Sequence, residues 1–148
     1  ADQGLAEAHL GLALLYTKGK GVVRDPARAA QSMQRAAHQG LATAQNNLGL
    51  MFLRGEGVPR DPIQAIEWLR KAADQGLVSA QMRLGMAFEA GRGVAADPIQ
   101  AYVWYSRAAD GGSTPGAQRR DGLAKRLAPN QRAEAEALLH SATDNRAR

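Results

Sequence analysis

The chain has 148 residues and no cysteine, and its 19 lysine and arginine residues exceed its 14 aspartate and glutamate residues, giving a formal net charge of +5. The lack of cysteine excludes disulfides and thiolate zinc sites, and no apolar run reaches the roughly 18 to 20 residues that a bilayer crossing needs. The basic balance favours acidic partners or polyanions.

Glycines recur every 36 residues along the whole chain, at Gly4, Gly40, Gly76 and Gly112. Other residues recur at the same interval in three copies: Gly19, Gly55 and Gly91; Gly21, Gly57 and Gly93; Asp25, Asp61 and Asp97; Pro26, Pro62 and Pro98. A period of this length predicts an array of units, each of which buries its apolar face only against its neighbours. An array fits the composition better than a compact catalytic domain does.

The repeat boundaries follow from this period. Residues 1–4 copy residues 73–76, so we interpret them as the end of a preceding repeat in a longer protein. We predict repeats at about 5–40, 41–76 and 77–112, a degenerate capping helix pair over 113–142 and a frayed tail over 143–148, with 1–142 forming a single domain.

Each repeat is predicted to form two helices. In the second repeat, apolar residues at helical spacing predict a first helix over about 41–54. Gly55 and Gly57 can take the positive φ that ends a helix, and Asp61 and Pro62 provide a cap and a first residue for the second helix. The third repeat copies this plan. We predict that Trp68 and its counterpart Trp104 pack in the core rather than stack on a ligand.

The fourth unit is shortened. One residue is inserted after Gly112, and the glycine loop is missing between Gly122 and Pro129. We predict one helix around 117–127 and another from Pro129 to about Ala142. Leu138 and Leu139 would cover the last repeat.

The repeated residues also carry a resemblance. The run Leu48-Gly49, Phe52, Gly55-x-Gly57-Val58, Asp61-Pro62, Ala65, Trp68, Ala72-Ala73 and Gly76 closely resembles the Sel1-like repeat family, relatives of the tetratricopeptide repeats. The resemblance implies an all-α fold, a right-handed α/α solenoid of antiparallel helix pairs. It also implies a bacterial protein of the periplasm or envelope rather than the cytoplasm. The first repeat departs from the pattern at Ala13 and Ser32, so we expect it to be less regular.

No pattern in the chain indicates catalysis. His9, His38 and His140 occur singly, without a second histidine or carboxylate at ligand spacing. Lys18-Gly19-Lys20-Gly21 lacks the spacing of a phosphate-binding loop, and its glycines recur as turn glycines. We therefore predict no enzyme activity, metal or cofactor in this chain. A weak further hypothesis is that the chain is part of a larger cell-wall enzyme whose catalytic residues lie in another domain.

The resemblance implies that a peptide segment or helix of a partner binds in a concave groove lined by the first helix of each repeat. Alignment of the repeats predicts the groove residues Leu10, Leu14, Thr43, Asn46, Asn47, Leu50, Arg54, Ser79, Met82, Arg83, Met86 and Arg120. Glu89, Arg119 and Leu123 are predicted to face the same way. These residues also have alternative interpretations. The asparagines can simply be solvated, and the arginines can form ion pairs within the array. The leucine and methionine side chains can pack beneath a neighbouring helix.

The sequence thus favours a protein-interaction module, a scaffold, adaptor or regulator that binds an acidic or carboxylate-ended partner. The alternative is nucleic-acid or other polyanion binding through the basic surface. It is weaker because the basic residues are dispersed and few aromatic residues lie among them for base stacking.

Overall fold

The structure is a computed structural model that describes residues 2–146, and this range contains eight α-helices and no strand. The helices are α1 (Asp2–Lys18), α2 (Pro26–His38), α3 (Ala42–Arg54), α4 (Pro62–Asp74), α5 (Val78–Ala90), α6 (Pro98–Asp110), α7 (Thr114–Ala124) and α8 (Pro129–Arg146). The predicted all-α fold of paired helices is confirmed. Among these helices, none is both long enough and apolar enough to cross a membrane.

The second helices begin where the sequence predicts. Asp61 caps α4 by accepting hydrogen bonds from the backbone N–H groups of Ile63 and Gln64, at 3.0 and 3.1 Å. Asp97 caps α6 in the same way, while Asp25 caps α2 by accepting from the Arg28 N–H. A proline follows each aspartate as the first helical residue. The proline fits because its fixed φ suits a helix and its missing N–H would have no partner there.

The chain divides into two compact units, residues 1–80 and 81–148. In the first unit, α1 packs on α2, α2 on α3, and α3 on α4. Its core consists of Ala13, Ala29, Ala30, Met33, Ala36, Ala37, Ala44, Leu48, Met51, Phe52, Ala65 and Trp68. Ser32, at the position of the repeated tryptophan, is buried as well.

In the second unit, α6 packs against both α7 and α8. Helix α7 begins at Thr114, three residues before the predicted start, because the Ser113 hydroxyl accepts a hydrogen bond from the Gly116 N–H and caps the helix. Only residues 125–128 separate α7 from α8, as the missing loop predicts. Helix α8 continues to Arg146 rather than ending near Ala142, while residues 147–148 of the predicted tail lie outside the described range.

Residues 2–4 differ from the segment that they copy. Gly76 has a φ of 88° and follows the end of α4, and the Leu77 N–H returns to the Ala72 carbonyl. Gly4 instead lies within α1, although we predicted that residues 1–4 end a repeat.

Candidate partner-binding surface of the first helices

The first helices of the three repeats are α1, α3 and α5, and they carry nearly all the predicted groove residues. Exposed among these are Leu14, Thr43, Arg54, Ser79 and Met86. Half-buried are Leu10, Asn47, Leu50, Met82 and Arg83, together with Arg120 on α7. Leu10 packs partly against the core of the first unit, so it belongs as much to the interior as to the surface.

The prediction for Asn46 is wrong. Its side chain is buried, with 6% of its surface exposed, and its Nδ2 lies 3.4 Å from Oδ1 of Asn47, to which it donates. Because α3 packs against α2 on one side and α4 on the other, its buried arc is wider than that of a helix with a single neighbour. Gln45 is buried for the same reason. Leu123 on α7 is also buried and does not face a partner.

Gln45 and Gln75 form a polar link that the sequence analysis did not identify. Gln45 Nε2 donates to the Ala37 carbonyl at 3.2 Å, and Gln75 Nε2 donates to Gln45 Oε1 at 2.8 Å and to the Gly40 carbonyl at 2.9 Å. These bonds hold the ends of two successive second helices together within the first unit. The signal available in the sequence was the recurrence of glutamine at positions 39 and 75 and at 45 and 81.

Glu89 is the centre of a charged cluster in the second unit, which we call the Glu89 cluster: Glu89, Tyr105, Arg119 and Arg126. Tyr105 donates its hydroxyl to Glu89 Oε2 at 2.7 Å, and the guanidinium groups of Arg119 and Arg126 bond the two carboxylate oxygens at 3.2 and 3.0 Å. We predicted that Glu89 and Arg119 face a partner, but each is engaged within the unit. With two guanidinium groups for one carboxylate, the cluster carries a net positive charge.

The contacts within the Glu89 cluster shift the pKa values of Glu89 and Tyr105. The hydrogen bond from Tyr105, followed by the two arginines, lowers the pKa of Glu89 below its usual value, although partial burial opposes this. Burial and the neighbouring Glu89 carboxylate raise the pKa of Tyr105 to about 12. At neutral pH the tyrosine therefore remains a donor and the glutamate an acceptor.

Paired helices approach each other closely at glycine residues within each unit. A Cβ atom on Gly85 would lie 2.5 Å from the ring of Tyr105, and one on Gly49 would lie 2.9 Å from Leu69. Contact at Gly85 places the Tyr105 ring beneath α5, and its hydroxyl then reaches Glu89 one turn further along.

The tryptophans lie in the core, as predicted. Trp68 is buried, with the ring of His38 edge-on at 5.0 Å and the Lys71 ammonium 4.2 Å from the ring centre. Trp104 is likewise buried, beside the guanidinium of Arg107. His38 therefore has a packing role. Across residues 2–146, no three histidine, aspartate or glutamate side chains gather in a group that could hold a metal ion.

The Arg120 side chain is only partly available to bind a partner. Its Nε bonds the Asp121 carboxylate at 2.9 Å, which agrees with the alternative of arginines paired within the array. On α5, Met86 is 45% exposed, and Met82 and Arg83 lie one turn before it on the same side of the helix. On α3, Thr43 and Arg54 remain exposed and Asn47 and Leu50 are half-buried, so both helices retain part of the predicted surface.

The comparisons with known proteins agree with this architecture. Residues 6–41, 42–77 and 78–113 each match the Sel1 repeat family, one residue later than the predicted boundaries. A Sel1 repeat protein from Oxalobacter formigenes is 36% identical over 78% of this chain, with a TM-score of 0.75. The protein c5321, a protective antigen present in uropathogenic Escherichia coli strains, is 30% identical over 97% of this chain, also with a TM-score of 0.75.

This chain spans 47% of the Oxalobacter protein and 39% of c5321. Helicobacter pylori cysteine rich protein B is 19% identical, with a TM-score of 0.65 over 78% of this chain and 89% of its own length, and shares the fold alone. The comparison with curated protein sequences gave no significant match.

Proposed function

The chain belongs to the Sel1 repeat family, and we propose that it is an interaction module whose exposed first-helix side chains hold a peptide segment or helix of a partner protein. Sel1 repeat proteins are generally scaffolds for protein interactions, and the fold is typically non-enzymatic. The proposal locates the main contact on α5, at the face formed by Met82, Arg83 and Met86, which we call the α5 face.

The exposure of Met86 carries this proposal. Leu84, Ala87 and Phe88 of α5 are buried, yet Met86 between them is 45% exposed, and Met82 beside it is half-buried. Methionine suits adaptable binding surfaces because its side chain is unbranched, flexible and polarisable. An apolar side chain of a partner, from a helix or an extended segment, can therefore pack against the α5 face.

Charge supports an acidic partner. Glu89 lies three residues after Met86, on the same side of α5, and brings the two arginines of the Glu89 cluster next to the α5 face. The side chains of Arg119 and Arg126 are 47% and 66% exposed, so both keep donors that face solvent. A carboxylate beside the apolar anchor of a partner would meet this positive charge.

Additional contacts are proposed in the first unit, where Leu14, Thr43 and Arg54 are exposed on α1 and α3. Half-buried Asn47 and Leu50 complete this set. The amide N–H groups of Asn47 can donate to the backbone of an extended segment, while its Oδ1 accepts from Asn46.

Affinity capture from an extract of the source organism tests the proposal. We compare the wild-type chain with Met86→Glu and, as a matched control, with Ile63→Glu, which places the same charge on α4 at a side chain that is 65% exposed. A partner protein retained by the wild type and by Ile63→Glu, but lost with Met86→Glu, supports the α5 face. Equal retention by both variants, or capture of nucleic acid alone, would refute it.

A further inference from the structure

Helix α1 exposes an unusual row of apolar side chains. Leu5, Leu12 and Leu15 are 51%, 39% and 43% exposed, and Ala8 between them is exposed as well. Their spacing places all four along one side of the helix, roughly opposite Leu14. We call Leu5, Ala8, Leu12 and Leu15 the α1 stripe.

The corresponding residues of α3 show what covers such a stripe. A shift of 36 residues leads to Leu41, Ala44, Leu48 and Met51. Ala44, Leu48 and Met51 are buried in one core with Met33, Ala36 and Ala37 of α2, the second helix of the preceding repeat. The Leu41 N–H also donates to the Ala36 carbonyl at 3.3 Å. The same face that is covered on α3 is therefore open on α1.

The loop that follows each first helix gives a second, independent observation. Gly57 packs against the backbone of Pro26 at the start of α2. Gly21 is its counterpart in the first repeat and has nearly the same φ, 74° against 72°, but a Cβ atom on it would have no neighbour within 4 Å. Within the described residues, the Gly21 loop and the α1 stripe thus both lack a preceding second helix, which α2 provides for the Gly57 loop and for α3.

The second unit repeats the covered arrangement and defines the chemistry of the covering helix. The Ser113 N–H donates to the Ala108 carbonyl of α6, and Gly116 of α7 lies against Ala108 and Ala109. Each second helix carries a large apolar residue followed three and four residues later by two alanines. These sets are Met33, Ala36 and Ala37; Leu69, Ala72 and Ala73; and Tyr105, Ala108 and Ala109.

We propose that the α1 stripe is the docking face for one more helix of this second-helix pattern, carried by a further Sel1 repeat. Its alanine pair would lie over Ala8 and Leu12, as Ala36 and Ala37 lie in one core with Ala44 and Leu48, and its first turn would close against the loop at Gly21. A second copy of this chain fits less well, because α3 and α7 already cover this side of its helices α2 and α6. The inference concerns another surface than the α5 face and does not depend on it.

An extended chain tests this inference. A copy of residues 41–72 is placed directly before Ala1, so that the added second helix runs into residues 1–4 in the register of 73–76. The chain has no native cysteine, so Leu12→Cys can be labelled with a maleimide in the original and in the extended chain. Ile63→Cys, on an exposed position of α4, is the matched control.

We expect extension to slow the labelling of Leu12→Cys by about tenfold or more, because the thiol then reacts only when the covering helix opens. The rate for Ile63→Cys should stay the same. An unchanged rate for Leu12→Cys, or an added segment that circular dichroism shows to be unfolded, would overturn the proposal. The proposal would also be overturned if labelling of Leu12→Cys in the original chain became slower with rising protein concentration and sedimentation showed a dimer. A second copy of the chain would then occupy the α1 stripe.

Discussion

Gly57 packs directly against the main chain of Pro26, so that a Cβ atom on Gly57 would overlap the Pro26 carbonyl group. The loop after α3 thereby rests on the first turn of α2, one repeat earlier. Gly57 has a φ of 72°, a conformation in which a side chain is strained. Two separate costs, strain and overlap, thus oppose any other residue at this position.

The first prediction separates these two costs. Gly21 shares the positive φ of Gly57 but has open space around it. Gly21→Ala should therefore lower the free energy of unfolding only by the left-handed strain of about 1 to 2 kcal/mol. Gly57→Ala should lower it by about 1 to 3 kcal/mol more, because the loop must also move away from Pro26. Urea unfolding of both variants measures the difference, and equal losses would contradict the observed packing.

The second prediction concerns the contact of α5 with α6. Gly85→Ala places a methyl group against the Tyr105 ring, so we expect a loss of about 1 to 3 kcal/mol from overpacking. Gly122→Ala, on the open side of α7, is the control and should be neutral or stabilising by up to about 1 kcal/mol. Thermal unfolding of the two variants makes the comparison. A Gly85→Ala chain as stable as wild type would show that the helices need no glycine there.

The third prediction is a stabilising substitution. Gly111 lies 36 residues after Gln75, and its φ and ψ of −78° and 6° nearly equal the −79° and 2° of Gln75. Gly111→Gln should therefore give Gln81 the donor that Gln75 gives Gln45, adding about 0.5 to 1.5 kcal/mol for the hydrogen bond. Gly111→Ala isolates the gain from reduced freedom of the unfolded chain. If both variants are equally stable in urea, the glutamine link is absent.

The fourth prediction concerns pH. Because folding lowers the pKa of Glu89, its ionised form stabilises the fold above the unfolded pKa of about 4.5, and this contribution disappears as pH falls through the lower folded value. Glu89→Gln should cost about 1 kcal/mol at pH 7 and much less at pH 3. Glu56→Gln, which removes an exposed carboxylate 3.8 Å from Arg54, should have no effect at either pH. A loss at Glu89 that does not depend on pH would exclude the ionic contribution.

Local signals made most of the fold predictable. An aspartate followed by a proline marks the start of a helix through contacts that reach no further than the first turn. Helices α2, α4 and α6 therefore begin where expected. The 36-residue period then placed Leu48 and Trp68 in the core. Gly4 does not behave like its copy: Gly76 has a φ of 88° and follows the end of α4, whereas Gly4 lies within α1.

The surface was less predictable because it depends on what lies beside each helix. Asn46 is buried by a second neighbouring helix, which periodicity on α3 alone does not reveal. The Glu89 cluster draws its members from three helices and a loop, and Arg126 lies where the inserted residue and the missing loop break the repeat register. No fixed spacing links Arg126 to Glu89, so sequence reasoning placed Glu89 and Arg119 on the open surface.

The most direct test of the account is the dissociation constant of the captured partner, measured with the purified wild type, Met86→Glu and Ile63→Glu chains. We predict that Met86→Glu weakens binding by about tenfold or more, as expected for a central apolar anchor, and that Ile63→Glu binds like wild type. Equal dissociation constants for all three chains would contradict the claim that the α5 face holds the partner.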